Sequence, residues 1–134
     1  YPTIEMNYGY DNIFKEIAIN RLTIFSYDST GILESLSLNT PIVCFWYGGL
    51  DDLLSDAIPY YELLIDAGIV HLSPKSAANH ITKYWDDIDE WWYSEKIQNT
   101  REKFCNKYAR KIDDPIISLR DLLLGDIKSN IKKN

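Results

Sequence analysis

A cluster of polar side chains follows the first predicted strand of this chain, at the point where a helix is predicted to begin. The strand is Leu22–Phe25 (LTIF), the cluster is Ser26–Gly31 (SYDSTG), and the helix starts at Thr30. Backbone N–H groups and the helix dipole favour phosphate binding at such a junction, and ligands of open α/β sheets lie at the carboxyl ends of the strands. Ser29 and Thr30 therefore have a position and a chemistry that suit a diphosphate.

Glu34 lies one helical turn beyond this junction. A carboxylate accepts hydrogen bonds from two vicinal hydroxyl groups, so Glu34 has the chemistry to hold a ribose. The alternative is purely structural. In that reading Asp28 or Ser29 caps the helix, as Asp and Ser commonly do, and Glu34 pairs with a neighbouring cation. The spacing of the residues leaves both interpretations open.

The next two strands also end in side chains that could bind a ligand. Trp46–Gly49 (WYGG) follows the apolar run that begins at Ile42, and His71 lies at the end of a third short strand. An aromatic side chain here can stack on a base or sugar, the glycines permit a mobile loop, and the histidine can reach a phosphate or sugar hydroxyl. The alternatives are purely structural. In these the aromatic residues line the margin of the core while the glycines form an ordinary turn, and the histidine makes hydrogen bonds that only stabilise the fold.

The predicted elements that position these residues follow the order α-β-α-β-α-β-α-α-α. Apolar strands that alternate with helices predict a parallel sheet covered by helices, with right-handed connections. Three strands make a small sheet, and the chain begins at Tyr1 rather than Met, with a first segment that reads as loop; we therefore expect a fragment of a longer protein. The predicted helices span 12–20, 30–38, 57–67, 74–85, 94–111 and 115–124, and the predicted strands span 22–25, 42–46 and 69–72.

Several local predictions accompany this reading. Asn39 should end the second helix in a left-handed conformation, with Leu38 facing inward, and Ser73 should cap the helix that begins at Pro74. The acidic run Asp86–Glu90 reads as a solvated connection. The tryptophans and tyrosine around it are expected to pack the terminal helices against the sheet or against a missing half of the protein; they are Trp85, Trp91, Trp92 and Tyr93.

Composition excludes several classes of function. The 14 basic and 20 acidic residues give a net charge of −6, which argues against nucleic acid as a partner. No apolar run approaches the roughly 20 residues of a membrane span, so we expect no transmembrane segment. Cys44 and Cys105 belong to no metal or redox motif, and two reduced core thiols favour a cytoplasmic location. We expect no bound cofactor.

The run Glu34–Val43 (ESLSLNTPIV) resembles the E-A-x-A-x-G-x-P-V-V signature in the carboxyl-terminal half of GT-B glycosyltransferases. The resemblance implies that Glu34 contacts the ribose of a nucleotide-sugar donor and that the small residues before it contact the phosphates. Asn39 replaces the usual glycine, an exchange that a left-handed helix end permits. Ser35 and Ser37 replace alanines and preserve size.

A closer resemblance covers nearly the whole chain. The runs YDSTGILESLSLNTPIVCFW, AIPYYELLIDAGIVHLSP, SAANHI, DDIDEWW and FCNKYAR together resemble one bacterial family of transferases from surface-carbohydrate gene clusters, related to GT-B enzymes and to polyglycerol-phosphate transferases. The resemblance implies an α/β, Rossmann-like, three-layer parallel sheet with extra carboxyl-terminal helices, forming the carboxyl-terminal half of a GT-B-type enzyme. It also implies a metal-independent reaction.

We therefore interpret residues 1–134 as one donor-binding domain of a two-domain transferase in bacterial surface polysaccharide biosynthesis. Its expected partners are a nucleotide-activated sugar or polyol phosphate and an amino-terminal domain that supplies the general base, so the fragment alone should be inactive. The predicted donor-binding residues are Ser26, Asp28, Ser29, Thr30, Gly31, Glu34, Trp46, Tyr47, Gly48 and His71. The alternative is a non-catalytic interaction module that works through its aromatic carboxyl-terminal helices. A receiver-type phosphate sensor is disfavoured, because no clustered acidic pocket and lysine occur at matching strand ends.

Overall fold

The computed structural model of the chain describes residue 9 and residues 12–131, with backbone alone at residue 14 and at residues 125–131. The loop expected at residues 1–4 lies outside this part. The three strands are β1 (Thr23–Phe25), β2 (Ile42–Phe45) and β3 (Val70–His71). The helices are α1 (Ile13–Ile19), α2 (Thr30–Leu38), α3 (Ile58–Asp66), α4 (Pro74–Tyr84), α5 (Ile88–Trp92), α6 (Glu95–Tyr108) and α7 (Pro115–Ile131).

The strands form one parallel sheet in the order β1-β2-β3. Thr23 pairs with Ile42, and Phe45 pairs with His71, so the carboxyl ends of all three strands lie at one edge. Helices α2 and α3 connect consecutive strands, as parallel pairing requires. The predicted mixed α/β fold with a parallel sheet is therefore confirmed.

The hydrophobic core lies between this sheet and its helices. The strand β2 is buried along Ile42, Val43 and Cys44, which fits a central strand covered on both faces. Helices α2 and α3 pack against β2 and β3 respectively, and both contact α6. Helix α4 also packs on β2 and β3. The buried aromatic side chains of Trp92 and Phe104 fill the space near α5 and α6.

The predicted helix ends of α2 and α4 are confirmed in detail. Asn39 adopts a left-handed conformation (φ 57°), and its backbone N–H donates to carbonyls of the last turn of α2. Ser73 precedes Pro74, and its hydroxyl accepts a hydrogen bond from the Ser76 N–H, as an N-cap side chain does.

Three local predictions were wrong or incomplete. The expected acidic connection is partly a helix: α5 begins at Ile88, because Ile88, Trp91 and Trp92 recur at helical spacing and are all buried. Leu38 does not face inward but is exposed. Helix α7 continues beyond the predicted end at residue 124 to Ile131.

The aromatic side chains around α5 separate into two groups. Trp91 and Trp92 are buried, as predicted for packing residues, whereas Trp85 and Tyr93 are exposed. The Arg21 guanidinium lies 5.3 Å from the Trp85 ring centroid. Helix α7 stands apart from the core, since every described side chain from 115 to 124 is exposed. Among the described helices, none combines the length and apolar character needed to cross a membrane.

Candidate functional site

A cavity of about 380 Å³ opens where β1 and β2 end, at the edge that the sequence predicted for a ligand. We call it the Asp28 cavity. It brings together four of the predicted donor-binding residues, Ser26, Asp28, Trp46 and Tyr47. The remaining residues that line it are Tyr27, Gly49, Asp52 and Leu53. Its charged side chains are thus the carboxylates of Asp28 and Asp52, with no cationic group among the lining residues.

The amino terminus of α2 lies next to this cavity in the chain. Ser29 is the N-cap residue by position, in an extended conformation, but its side chain makes no capping hydrogen bond. The Ser29 hydroxyl therefore does not cap α2, contrary to the structural alternative. Gly31 permits close packing, because a Cβ atom there would lie 2.9 Å from the Phe25 ring. A larger residue at this position would require the Phe25 ring or the first turn of α2 to shift.

The loop after β2 is a closed turn held by its own tryptophan. The Trp46 indole N–H donates to the Gly49 carbonyl at 3.0 Å, and the Trp46 ring packs edge-on against Tyr61. Gly48 and Gly49 both have positive φ, 112° and 77°, which favours glycine at each position. Tyr47 at the tip is 91% exposed, so Tyr47 rather than Trp46 is the aromatic side chain free to stack on a ligand.

Glu34 lies outside the Asp28 cavity. It borders a neighbouring cavity of about 460 Å³ that is also lined by Leu33, Ser37, Leu38, Ala109 and Arg110. We call it the Glu34 cavity. The ion pair found among the described residues is Arg120–Asp121, so Glu34 is not paired with a cation there. The structural ion pair is therefore not formed within the described part of the chain, although Arg110 borders the same cavity.

His71 lies in a third cavity, and both of its ring nitrogens are engaged. Its Nε2 atom lies 3.0 Å from the Gly68 carbonyl oxygen, which only accepts, so Nε2 carries the proton. Its Nδ1 atom then accepts from the Ser76 hydroxyl at 2.9 Å. Burial lowers the pKa of His71, although the bond to Gly68 opposes this. His71 is therefore neutral and held in one tautomer.

The sequence did not identify the group of aromatic rings around His80. The His80 ring lies 5.0, 4.7 and 4.8 Å from the rings of His71, Tyr84 and Trp91 respectively. Its Nε2 atom is shielded from solvent and has no hydrogen-bond partner among the described residues. Burial, with lesser contributions from His71 and Lys83, lowers the pKa of His80 to about 4. The i, i+4 spacing of His80 and Tyr84 was the available signal, and it does not reveal a partner as distant as Trp91.

The predicted residues at the ends of β1, β2 and β3 thus lie at one edge of the sheet, as expected, but they do not share a single pocket. The Asp28 cavity gathers the residues after β1 and β2, whereas Glu34 and His71 belong to separate cavities. Nothing among the described residues groups three or more His, Cys, Asp or Glu side chains as a metal site would.

Comparisons with known proteins give one match. No curated protein matches the chain, and no solved structure matches it. A family model described as LIC12162 family transferase matches residues 1–123, nearly the whole chain. The chain therefore belongs to the LIC12162 family of transferases.

Proposed function

We propose that this chain is the donor-binding, Rossmann-like part of a GT-B-type transferase. The observation that carries the proposal is the Asp28 cavity, which lies at the carboxyl ends of β1 and β2, next to the start of α2, in a chain that belongs to a transferase family. Parallel α/β sheets bind nucleotides at this edge. The donor is a nucleotide-activated sugar or polyol phosphate, used in the cytoplasm for bacterial surface polysaccharide synthesis.

The charges around α2 suggest how the donor lies. The Asp28 cavity offers the carboxylates of Asp28 and Asp52 and no cation, so it suits hydroxyl groups better than phosphate. The phosphates then lie at the amino terminus of α2, where backbone N–H groups and the Ser29 and Thr30 hydroxyls donate to them. The ribose lies at Glu34, one turn along the same helix. The transferred group occupies the Asp28 cavity and stacks on Tyr47.

His71 has no role in this arrangement, because its ring nitrogens are engaged and it lies in another cavity. Transfer breaks the bond between the donor group and the nucleotide phosphate, and the acceptor oxygen takes its place. The acceptor proton goes to a base in a second, amino-terminal domain. No metal and no cofactor takes part in the proposal.

The test is an NMR titration of the labelled chain with UDP, GDP, CDP, CMP and ADP. We expect saturable shifts at Ser26–Glu34 and Trp46–Gly49 with the correct nucleotide. The Glu34→Ala variant should lose them, whereas Glu62→Ala, an exposed carboxylate on α3, should keep them. Silence from every nucleotide, both here and in the chain joined to its amino-terminal domain, would overturn the proposal.

A non-catalytic interaction module is the second candidate, and helix α7 is the observation that favours it. Its apolar side chains Ile116, Leu119 and Leu122 are between 60% and 79% exposed. The Trp91–Trp92 region expected to form the working surface is buried, so α7 would take that role. Two results together would support this candidate instead: the chain self-associates and charge substitutions in α7 abolish the association, and no nucleotide causes shifts in the titration.

A further inference from the structure

The largest of the cavities described above lies beside the edge strand β3. Its volume is about 640 Å³, and residues of α4, the end of α3 and the start of α6 line it. We call it the β3 cavity. It shares no lining residue with the Asp28 cavity or the Glu34 cavity. A volume of several hundred cubic ångströms is typical of small-molecule sites.

Two lysines supply the cationic groups of the β3 cavity. The Lys83 ammonium donates to the Tyr84 hydroxyl at 3.0 Å, and the Lys96 ammonium donates to the Asp66 carbonyl at 2.6 Å. An ammonium group has three donors, so each lysine keeps donors for a ligand. The Asp66 carboxylate is the one acidic group in the lining. With both histidines neutral, the lining itself carries a net charge of +1, and the carboxylates of Asp87 and Glu90 line an adjoining cavity that shares Lys83.

Two of the three serine hydroxyls that line the same cavity, those of Ser76 and Ser94, have their protons committed. The Ser76 hydroxyl donates to His71 Nδ1, and the Ser94 hydroxyl donates to the Trp91 carbonyl at 2.7 Å. The oxygens of Ser76 and Ser94 can therefore only accept hydrogen bonds from a ligand, and ligand hydroxyl groups can donate them. The cavity therefore combines donors for an anionic group with acceptors for hydroxyl groups.

The wall that carries these groups is closely packed. Gly68 has a positive φ of 76°, and its Cα lies so close to the His80 ring that a Cβ atom would overlap it. His80 in turn packs between His71, Tyr84 and Trp91. These aromatic contacts hold α4 against β3 and α5, so the polar groups of the cavity are preorganised, which lowers the cost of ordering them on binding.

We propose that the β3 cavity is a second ligand site, distinct from the donor site, for a small hydroxylated anion: a phosphate or carboxylate group on a sugar or polyol skeleton. Lys83 and Lys96 bind the anionic group. Ser76 and Ser94 accept hydrogen bonds from the hydroxyl groups of the skeleton. Neither role depends on the proposed donor site.

The test is a titration of the isotope-labelled full chain with glucose 6-phosphate, inorganic phosphate and glucose, followed by NMR. We expect shifts at Gly68–Tyr84 and Trp91–Ile97, and tighter binding of glucose 6-phosphate than of either fragment. Lys83→Gln should weaken that binding by about tenfold, as loss of one charge-assisted hydrogen bond does. Lys103→Gln removes an exposed lysine of α6 outside the cavity and should change nothing.

Two further measurements separate a ligand site from a charged surface. Ser94→Ala should weaken glucose 6-phosphate but leave inorganic phosphate unaffected, because its oxygen contacts hydroxyl groups alone. The bound anion should also raise the pKa of His80, read from its ring proton shifts, from about 4. Glu34→Ala should leave the binding of glucose 6-phosphate and phosphate at the β3 cavity unchanged. A result against the donor site can therefore be told apart from a result against the β3 cavity. Equal effects of Lys83→Gln and Lys103→Gln, or shifts confined to Ser26–Glu34, would overturn the proposal.

Discussion

The indole N–H of Trp92 hydrogen-bonds to Asn39 at two atoms, the backbone carbonyl oxygen at 3.2 Å and the side-chain Oδ1 at 3.0 Å. The Gln98 amide joins the same Asn39 side chain through Oδ1 and Nδ2, at 3.1 Å each. Arg101 donates to the Gln98 Oε1 at 3.3 Å and to the Leu36 carbonyl at 3.0 Å. Asn39 thus both ends α2 and ties it to α5 and α6.

Replacing Asn39 separates these two contributions to stability. Asn39→Gly tolerates the positive φ but loses the amide hydrogen bonds, and we expect it to lower the free energy of unfolding by about 1–2 kcal/mol. Asn39→Ala also incurs the cost of a left-handed conformation and should lose about 1 kcal/mol more. Urea unfolding followed by tryptophan fluorescence measures both values. Equal stability of Asn39→Gly and the natural chain would show that the hydrogen bonds contribute nothing net.

Gly68 should tolerate no side chain. Its φ is 76°, and an added Cβ atom would overlap His80 Cε1 and lie 2.9 Å from Nδ1. We expect Gly68→Ala to destabilise the fold by about 3 kcal/mol, from backbone strain and overpacking together. Gly48→Ala is the matched control: its φ is also positive, but nothing lies within 4 Å, so strain alone should cost about 1–2 kcal/mol.

A double variant tests whether the contact with His80 is the cause. Gly68→Ala combined with His80→Ala should lose less than the sum of the two single variants, because removing the ring relieves the overlap. Strict additivity in thermal or urea unfolding would contradict the packing explanation and leave backbone strain as the whole effect.

The elements that the sequence predicted well are those set by local signals. The apolar run from Ile42, the Ser73–Pro74 start of α4 and the left-handed Asn39 each follow from residue types within one turn. The cavities could not be predicted in the same way. Whether Glu34 shares a pocket with Asp28 depends on where the segment after α6 lies, and no local pattern encodes that placement. Helix α5 was missed because acidic residues surround three buried side chains.

Neither cysteine should react readily with thiol reagents in the folded protein. Burial raises the pKa of Cys44 to about 12, with a lesser contribution from Asp28, and burial also raises the pKa of Cys105 against the opposing effect of Arg101. The thiolate is the reactive form, so little of it exists at pH 8. We expect slow modification by an aromatic disulfide reagent in native buffer and rapid modification of both thiols in urea.

Single-cysteine variants assign these rates. Cys105→Ala leaves Cys44, which is fully buried in β2 and should be the slower thiol, and Cys44→Ala leaves Cys105. A stoichiometric reaction of Cys44 within the mixing time would contradict the buried, protonated state described for it.

Acid should destabilise the fold through His80. The pKa of His80 is about 4 in the folded protein, chiefly because of burial, against about 6.5 in an unfolded chain. The unfolded state therefore binds more protons between these values, so stability is fully present above pH 6.5 and falls as the pH drops towards 4. One proton gives a slope of at most about 1.4 kcal/mol per pH unit, and solvent access to part of the ring reduces it. His71 adds to the loss in the same direction.

The His80→Phe variant keeps an aromatic ring but cannot take up a proton. Urea unfolding at pH 7.0, 6.0, 5.0 and 4.5 should show a shallower loss of stability in this variant than in the natural chain, with the difference largest at the lowest pH. Lys83→Gln removes the cation beside His80, so the pKa of His80 in the folded protein should rise. Because this pKa then lies closer to the unfolded value, the protein should lose less stability on acidification than the natural chain does. Parallel pH profiles for His80→Phe and the natural chain would show that other groups cause the acid sensitivity.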